Sequence, residues 1–549
     1  MKKASLLICL FFLLLTGLRA NNLTLTNISL IDQNITGHYC NIKFDISWEN
    51  SWRTSTAVPL NWDACWLFAK YRVNGGPWHH CTLSATAGDH VAPLGSTIAP
   101  SSDSKGVFIY RSTDGNGTNT WTNAKLRWNY GTDNVNDDAL VEVKLFAIEM
   151  IYVPQGNFNI GDGDGTNESY ASFHQGAGNT SIQVSTTLLP NVRADINDFD
   201  DSQLESTGVG IDGDGGLDTD NNGSVDNDGF PTGYNAYYIM KYELSQEQYA
   251  EFLNTLTRAQ QINRVESDIT GTTVANYYVM RNSNTPIMNF IRCNLTIAAS
   301  PEAVNFYCDY NNNGVVETCD AQYLACGFLN WPDGAAYADW AGLRFMSELE
   351  YEKAARGPNN AVYGEYAWGN TNLATSPVSL SDYGCPNSGI TLNPDVNTGR
   401  ALYNDTYISW PHRCGIFAAT SVNHTRQEAG AGYYGVMELS GNVSEPAVTI
   451  GNVAGRSYRA YHGNGELTSN GYADVDYWPG INGNASTITA NTVFGGSTGV
   501  AEAAGACERG GSASASSYLR TSDRFETNAM NYMIERNPGF GQRFVRNAP

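Results

Sequence analysis

Residues 309–320 carry oxygen-bearing side chains at the spacing of a calcium-binding loop. Positions 1, 3, 5, 9 and 12 of this stretch are Asp309, Asn311, Asn313, Glu317 and Asp320. Gly314 stands at position 6, where such a loop turns sharply, and Val315 at position 7 offers its main-chain carbonyl. Because Ca²⁺ prefers hard oxygen ligands on a flexible loop, the pattern predicts a calcium site in which Asp replaces the usual closing Glu. The alternative is an Asn- and Gly-rich turn without a metal.

A second acidic run lies at residues 212–229. The residues at its loop positions 1, 3, 5 and 9 are Asp218, Asp220, Asn222 and Asp226. Gly223 takes position 6, but position 12 is Gly229, so the closing bidentate acid is missing. The run is either a second calcium loop or a solvated acidic linker.

The chain as a whole is acidic, with a formal net charge of −23 over 549 residues. Such a surface repels nucleic acid and anionic lipid, so neither is an expected partner. Many of the acids stand in short runs of Asp, Asn and Gly, which favours cations as ligands.

Residues 1–20 have the pattern of a secretory signal peptide. Lys2 and Lys3 precede an apolar run at residues 6–15, and small residues lead to a cleavage region near Ala20. The run is too short for a membrane span, and no later segment is apolar for long enough. We therefore expect an exported protein without a membrane span, secreted or held at the cell surface.

Ten cysteines follow the predicted signal peptide. An even number in an exported chain favours disulfide bonds, although their spacing does not fix the connectivity.

The sequence predicts several domains, because 549 residues exceed one ordinary core. Residues 21–147 alternate apolar and polar side chains in short runs separated by turns, which is typical of an antiparallel β-sandwich. Residues 148–549 combine a few helix signals with long irregular segments, which favours a loop-rich α+β domain. Polar insertions interrupt this domain at about residues 162–230 and 293–327. Helix starts are predicted at Ser245 and Ser347, each followed three residues later by Gln or Glu, and at Asp333.

Six ordered segments of the second region have a recognisable pattern. Three of them read Tyr237-Tyr-Ile-Met-Lys-Tyr-Glu-Leu-Ser245, Gly435-Val-Met-Glu-Leu-Ser-Gly-Asn-Val-Ser-Glu445 and Arg509-Gly-Gly-Ser512; the others are 150–161, 331–357 and 366–370. Together they resemble the formylglycine-generating-enzyme, or sulfatase-modifying factor, family. The resemblance implies a C-type-lectin-like α+β fold. It also implies a calcium element at Asn442, Val443 and Glu445, although Ser444 replaces a family tryptophan.

The resemblance fails at the catalytic cysteines of that family. Active members carry a cysteine three residues after the Ser of Arg-Gly-Gly-Ser and another five residues later, and the pair binds copper. Here the first position is Ala515, the second falls near Arg520, and no cysteine follows Cys507. Because a thiolate is the required ligand, we assign no catalytic residue and expect no copper.

Two functions remain open from the sequence. One is a secreted or cell-surface calcium-binding protein whose family domain serves binding, adhesion or assembly, with a glycan, a protein or its own copies as partner. The other is a metal-dependent oxidoreductase with a non-standard site, which requires ligands such as His412, His424 and His462 to converge with acids.

Overall fold

The computed structural model of the protein describes residues 22–163, 172–174, 181–185, 193–194, 227–374, 380–386, 388–390, 397–403, 411–418, 425–451, 453–480, 499–512, 516–524 and 533–549. Strands make up most of its regular structure, and the helices are few and short. The predicted predominance of β-strands over helices is therefore confirmed. Among the described residues, every helix is too short or too polar to cross a lipid bilayer.

Strands and helices follow one another along the chain as follows. The strands are β1 (Thr24–Asn34), β2 (Tyr39–Arg53), β3 (Asp63–Val73), β4 (His79–His80), β5 (Ser96–Pro100), β6 (Val107–Arg111), β7 (Gly115–Trp128), β8 (Val141–Val153), β9 (Phe158–Ile160), β10 (Phe173–His174), β11 (Ile182–Val184), β12 (Arg193–Ala194), β13 (Tyr237–Met240), β14 (Ile291–Arg292), β15 (Tyr307–Cys308), β16 (Arg344–Phe345), β17 (Leu380–Ser381), β18 (Gly389–Ile390), β19 (Glu445–Val448), β20 (Ala506–Arg509) and β21 (Phe544–Asn547). The helices are α1 (Gln246–Leu253), α2 (Arg258–Ile262), α3 (Trp331–Trp340), α4 (Glu348–Arg356) and α5 (Val453–Arg456).

Capping boxes start α1, α3 and α4 at or near the predicted positions. Ser245 and Ser347 cap α1 and α4 as predicted, each accepting a hydrogen bond from the main chain three residues on. The prediction that Asp333 caps a helix is wrong, because the cap of α3 is Asn330 and Asp333 is the third helical residue that bonds back to it. Pro332 fits this earlier start, since proline suits the first turn of a helix.

An eight-stranded antiparallel sheet forms the centre of the molecule. Its order is β16-β21-β13-β8-β3-β6-β5, with β4 paired to β3. A smaller sheet, β1-β2-β7, shares a core with one face of β3 and β8, through residues such as Phe44, Trp48 and Leu67. The opposite face, with Trp66 and Phe68, packs in a second core with the helices of the C-terminal region.

Strand β3 is buried along nine consecutive residues because both of its faces are covered. The predicted boundary between residues 147 and 148 falls inside β8, which pairs with β3 along its length and with β13 at its end. The N-terminal and C-terminal regions therefore share one sheet.

Buried polar contacts join the same two regions. The indole of Trp66 donates to the carbonyl of Ala341 at 2.9 Å, and the ammonium of Lys70 donates to the carbonyl of Gly465 at 2.5 Å. Such bonds fix the relative position of the two regions because leaving either partner unmatched in the interior is costly.

Candidate functional site

The loop at residues 309–320 begins directly after β15, which pairs with β14. Gly314 has a φ of +76° and no atom within 4 Å of the place where a side chain would start, so the chain turns there without strain. The main-chain N–H of Gly314 donates to Asp309 Oδ2 at 2.8 Å, and that of Asn313 donates to Asp309 Oδ1 at 3.2 Å. The loop therefore wraps around the carboxylate of its first residue.

Three further predicted ligands meet one another inside this loop. The Glu317 carboxylate accepts hydrogen bonds from the amides of Asn311, at 2.9 Å, and of Asn313, at 3.2 Å. The Asn313 side-chain oxygen in turn accepts from the main-chain N–H of Val315 at 2.7 Å. Positions 3, 5 and 9 thus lie close together, with the amide nitrogens of positions 3 and 5 turned toward the carboxylate of position 9.

Asp320 closes the loop with a buried carboxylate. Its Oδ2 accepts from the main-chain N–H of Glu317 at 2.5 Å. Its Oδ1 is buried and has no hydrogen-bond partner of good geometry within the described chain. Burial raises the pKa of Asp320 to about 6, although main-chain hydrogen bonds from Glu317 and Tyr310 stabilise the charged form.

Arg292 is a neighbour of the loop that the sequence did not suggest. Its guanidinium donates to Asp309 Oδ2 at 2.7 Å and to Asn312 Oδ1 at 2.9 Å, and it packs 4.2 Å from the ring centre of Tyr277. No spacing rule connects it to the loop, because only the pairing of β14 with β15 brings it there.

A disulfide bond attaches the loop to a distant segment. Cys319 is bonded to Cys385, 66 positions away, and next to the bond Ala321 donates to the Gly384 carbonyl at 2.9 Å. The eight other cysteines of the described chain are free and buried. The even number of cysteines predicted more disulfide bonds than this one. Most of the free thiols instead lie on strands or in the core, where they pack as small apolar side chains.

The segment at residues 442–445 uses its polar atoms within the protein. Asn442 donates to Glu243 Oε2 at 2.5 Å and accepts from the main chain of His412, while the main-chain N–H of Val443 donates to Glu243 Oε1 at 3.0 Å. Glu445 instead pairs with Arg543 at 2.8 Å. Burial, and then the nearby Glu445 charge, raises the pKa of Glu243 well above its ordinary value. Asn442 and Val443 therefore converge on a glutamate that the resemblance did not indicate.

Some predicted ligands lie outside the described residues. These are Asp218, Asp220, Asn222, Asp226 and His424; Ala515 is outside as well. In the described part of the chain, no three His, Cys, Asp or Glu side chains form a group that could hold a metal ion. A cation in the 309–320 loop would thus depend on amide and main-chain oxygens beside its acids.

The two described histidines of the oxidoreductase hypothesis have separate surroundings. His412 is buried beside Tyr383, neither of its ring nitrogens is hydrogen-bonded to a residue that the structure describes, and burial lowers its pKa to about 3. His462 accepts from the main-chain N–H of Asn547 at 3.0 Å and lies 3.8 Å from Asp103.

A buried ion network holds the turn at residues 509–512. Arg509 bridges Glu348, at 3.3 Å, and Glu352, at 2.9 Å, and Arg524 also pairs with Glu348 at 2.7 Å. The neighbouring thiol of Cys507 lies on β20 and is fully buried, which raises its pKa well above the ordinary value. A thiol in that state is a poor metal ligand and a poor nucleophile.

Comparison with known families supplies one match. A family model described as "Sulfatase-modifying factor enzyme 1-like domain" matches residues 219–548, which is more than half of the chain. A comparison with curated proteins finds no match.

Proposed function

Because the chain belongs to the family of sulfatase-modifying factor enzyme 1-like domains, we propose that it uses this domain for calcium-supported binding, adhesion or assembly instead of catalysis. The signal-peptide pattern of residues 1–20 supports secretion or display at the cell surface. In this proposal the N-terminal strands form a β-sandwich whose larger sheet continues into a C-type-lectin-like domain.

The state of the cysteines is the observation that carries the proposal. The family chemistry needs thiolates after the Arg-Gly-Gly-Ser turn, whereas here the sequence has Ala515 and ends its cysteines at Cys507. Cys507 is fully buried with a raised pKa, and Glu348 adds a negative charge that disfavours a thiolate. Among the described residues, every free cysteine is buried, which disfavours a thiolate site for copper.

Calcium binding is supported by the 309–320 loop. Its first carboxylate is wrapped by two main-chain N–H groups, its middle side chains touch one another, and its last carboxylate has an unmatched oxygen. We take these features, together with the spacing of the oxygen-bearing residues, to favour a cation over the alternative of a plain turn. Calcium at residues 218–226 and at residues 442–445 remains part of the proposal on the sequence pattern.

A partner surface lies on the same loop. Tyr310, Val315 and Val316 are exposed, with 37%, 56% and 65% of their surface accessible. Apolar side chains on a cation-stabilised loop suit contact with a protein, a glycan or a second copy of the chain.

Calorimetric calcium titration of the purified mature protein tests the proposal. We expect saturable binding that falls at least about tenfold in the Glu317→Gln variant, because a shared carboxylate ligand is lost. Asp268→Asn is the matched control, since Asp268 is an exposed acid that serves only its own turn. Its affinity should equal that of the unaltered protein.

An assay on a cysteine peptide, together with elemental analysis, tests the oxidoreductase alternative. We expect the elemental analysis to find calcium and the peptide assay to give no aldehyde product. Stoichiometric copper or iron with aldehyde formation would overturn the binding function and favour the oxidoreductase.

A further inference from the structure

A positive side chain lies against the first carboxylate of the 309–320 loop. Arg292 contacts Asp309 Oδ2 at 2.7 Å, and both side chains are almost fully buried, at 9% and 0% exposure. The guanidinium also bonds to Asn312, which holds no ligand position in the loop. Arg292 thus supplies a positive charge beside the atoms that a cation in this loop would bind.

The far side of Arg292 is held by aromatic rings. Its guanidinium carbon lies 4.2 Å from the ring centre of Tyr277, 5.6 Å from that of Tyr278 and 5.7 Å from that of Tyr307. Faces of aromatic rings attract cations, so the guanidinium keeps a favourable environment when its bond to Asp309 weakens.

We propose that Arg292 is a tethered counter-cation that competes with calcium for Asp309 and so sets the affinity of the loop. This inference rests on the calcium binding proposed above. Asp320 supplies the second, independent sign of a ligand, because its buried Oδ1 at the other end of the loop has no hydrogen-bond partner of good geometry among the described residues.

Two electrostatic effects of removing Arg292 have the same sign. Without the guanidinium, the buried Asp309 carboxylate loses its ion-pair partner, which raises the free energy of the calcium-free loop. The bound Ca²⁺ also loses a repulsive positive charge a few ångströms away. Both effects tighten calcium binding.

The experiment compares calcium affinity by calorimetry in three variants of the full mature chain. Arg292→Gln should bind calcium about tenfold more tightly than the unaltered protein. Asn312→Gly keeps the charge of Arg292 but removes its second anchor, and it should tighten binding by a smaller factor; glycine also accepts the φ of +60° at this position. Arg536→Gln is the matched control, because Arg536 is equally buried and pairs with Asp333 outside the loop. Its calcium affinity should not change.

Thermal melting provides a second readout. Without calcium, Arg292→Gln and Arg536→Gln should both melt at a lower temperature than the unaltered protein, because each removes a guanidinium from a buried carboxylate. Saturating calcium should restore the melting temperature of Arg292→Gln only.

The outcomes separate the two proposals. The unaltered protein could bind calcium while Arg292→Gln and Asn312→Gly bind it equally well or more weakly. This result would overturn the role of Arg292 without contradicting calcium binding by the loop. Absence of calcium binding in every variant, including Arg292→Gln, would overturn both. If Arg292→Gln does not fold, unchanged affinity in Asn312→Gly is sufficient to overturn the role of Arg292.

Discussion

Glu348 shows how single residues hold the family domain together. Its carboxylate accepts hydrogen bonds from Arg524, Arg509, the Thr449 hydroxyl and the main-chain N–H of Ile450. Burial alone would raise the pKa of Glu348, but the two arginines outweigh it and the pKa is lowered. The charged carboxylate is therefore the form that the fold stabilises.

Glu348→Gln should lower the free energy of unfolding by about 3–5 kcal/mol, because two buried guanidinium groups lose the charge that balances them. Denaturant unfolding at neutral pH measures this change. Glu142→Gln is the control, since Glu142 pairs with Arg72 while 53% of its side chain is exposed, and its loss should cost less than about 1 kcal/mol. Equal effects of the two substitutions would contradict the importance of the buried network.

Asp339 makes stability depend on pH. Burial, followed by the neighbouring Asp474, raises its pKa to about 8 from 3.8. A carboxyl group with a higher pKa in the folded than in the unfolded state binds a proton on folding, so stability falls as pH rises through this interval. Lys70 has the opposite effect only near and above its own lowered pKa of about 7.

We therefore expect the stability advantage of the unaltered protein over Asp339→Asn to shrink as pH rises from about 5 to about 6.5, by at most about 1.4 kcal/mol per pH unit. Denaturant unfolding of both proteins at each pH measures the difference. A constant difference across this range would show that Asp339 is ionised in the folded protein.

At the scale of elements, the disulfide bond fixes the end of the loop at residues 309–320. Cys319 directly precedes Asp320, and its bond to Cys385 closes a long stretch of chain in the unfolded state. Replacing both cysteines by serine should lower the free energy of unfolding by about 2–4 kcal/mol and weaken calcium binding, because Asp320 is held less firmly. Thermal melting and calcium titration measure the two effects.

A reductant supplies the control for this prediction. It should weaken calcium binding in the unaltered protein and leave the Cys319→Ser, Cys385→Ser double variant unchanged. Sensitivity of the double variant to the reductant would assign the effect to other cysteines.

Elements differ in how well the sequence predicts them. Caps at Ser245 and Ser347 were predictable because the capping box is a local pattern of four residues. The spacing of oxygen-bearing side chains at residues 309–320 could be recognised in the sequence for the same reason, since it is also a local pattern. Arg292, Glu243 and Cys385 were not, because their contacts depend on pairing between segments far apart in the chain. The shared sheet was hidden as well, since alternation within β3 and β8 gives no sign of what covers each face.

At the scale of the whole molecule, the shared sheet makes the two regions interdependent. Removing residues 22–147 deletes β3 together with Trp66 and Phe68, which belong to the core of the C-terminal region. We expect residues 148–549 alone to lack a cooperative unfolding transition, because their core loses one wall. Circular dichroism and differential scanning calorimetry of this fragment provide the measurement.

Co-expression of two pieces cut ahead of β8 is the matched control for that deletion. Residues 21–138 and 139–549 retain every strand, so they should associate and melt together. Cooperative folding of residues 148–549 by themselves would contradict the interdependence.

The position of β21 has a consequence for biogenesis. Val545 of β21 pairs with Arg344 of β16 on one side and with Ile239 of β13 on the other. Strand β21 is therefore joined to both of its neighbours only across hundreds of positions in the chain. Contacts so distant along the chain form slowly, because closing large loops costs entropy before any bond compensates it. During synthesis β16 cannot pair with β21 until residue 545 has left the ribosome. A chain of this design completes its central sheet only after its last strand has been synthesised.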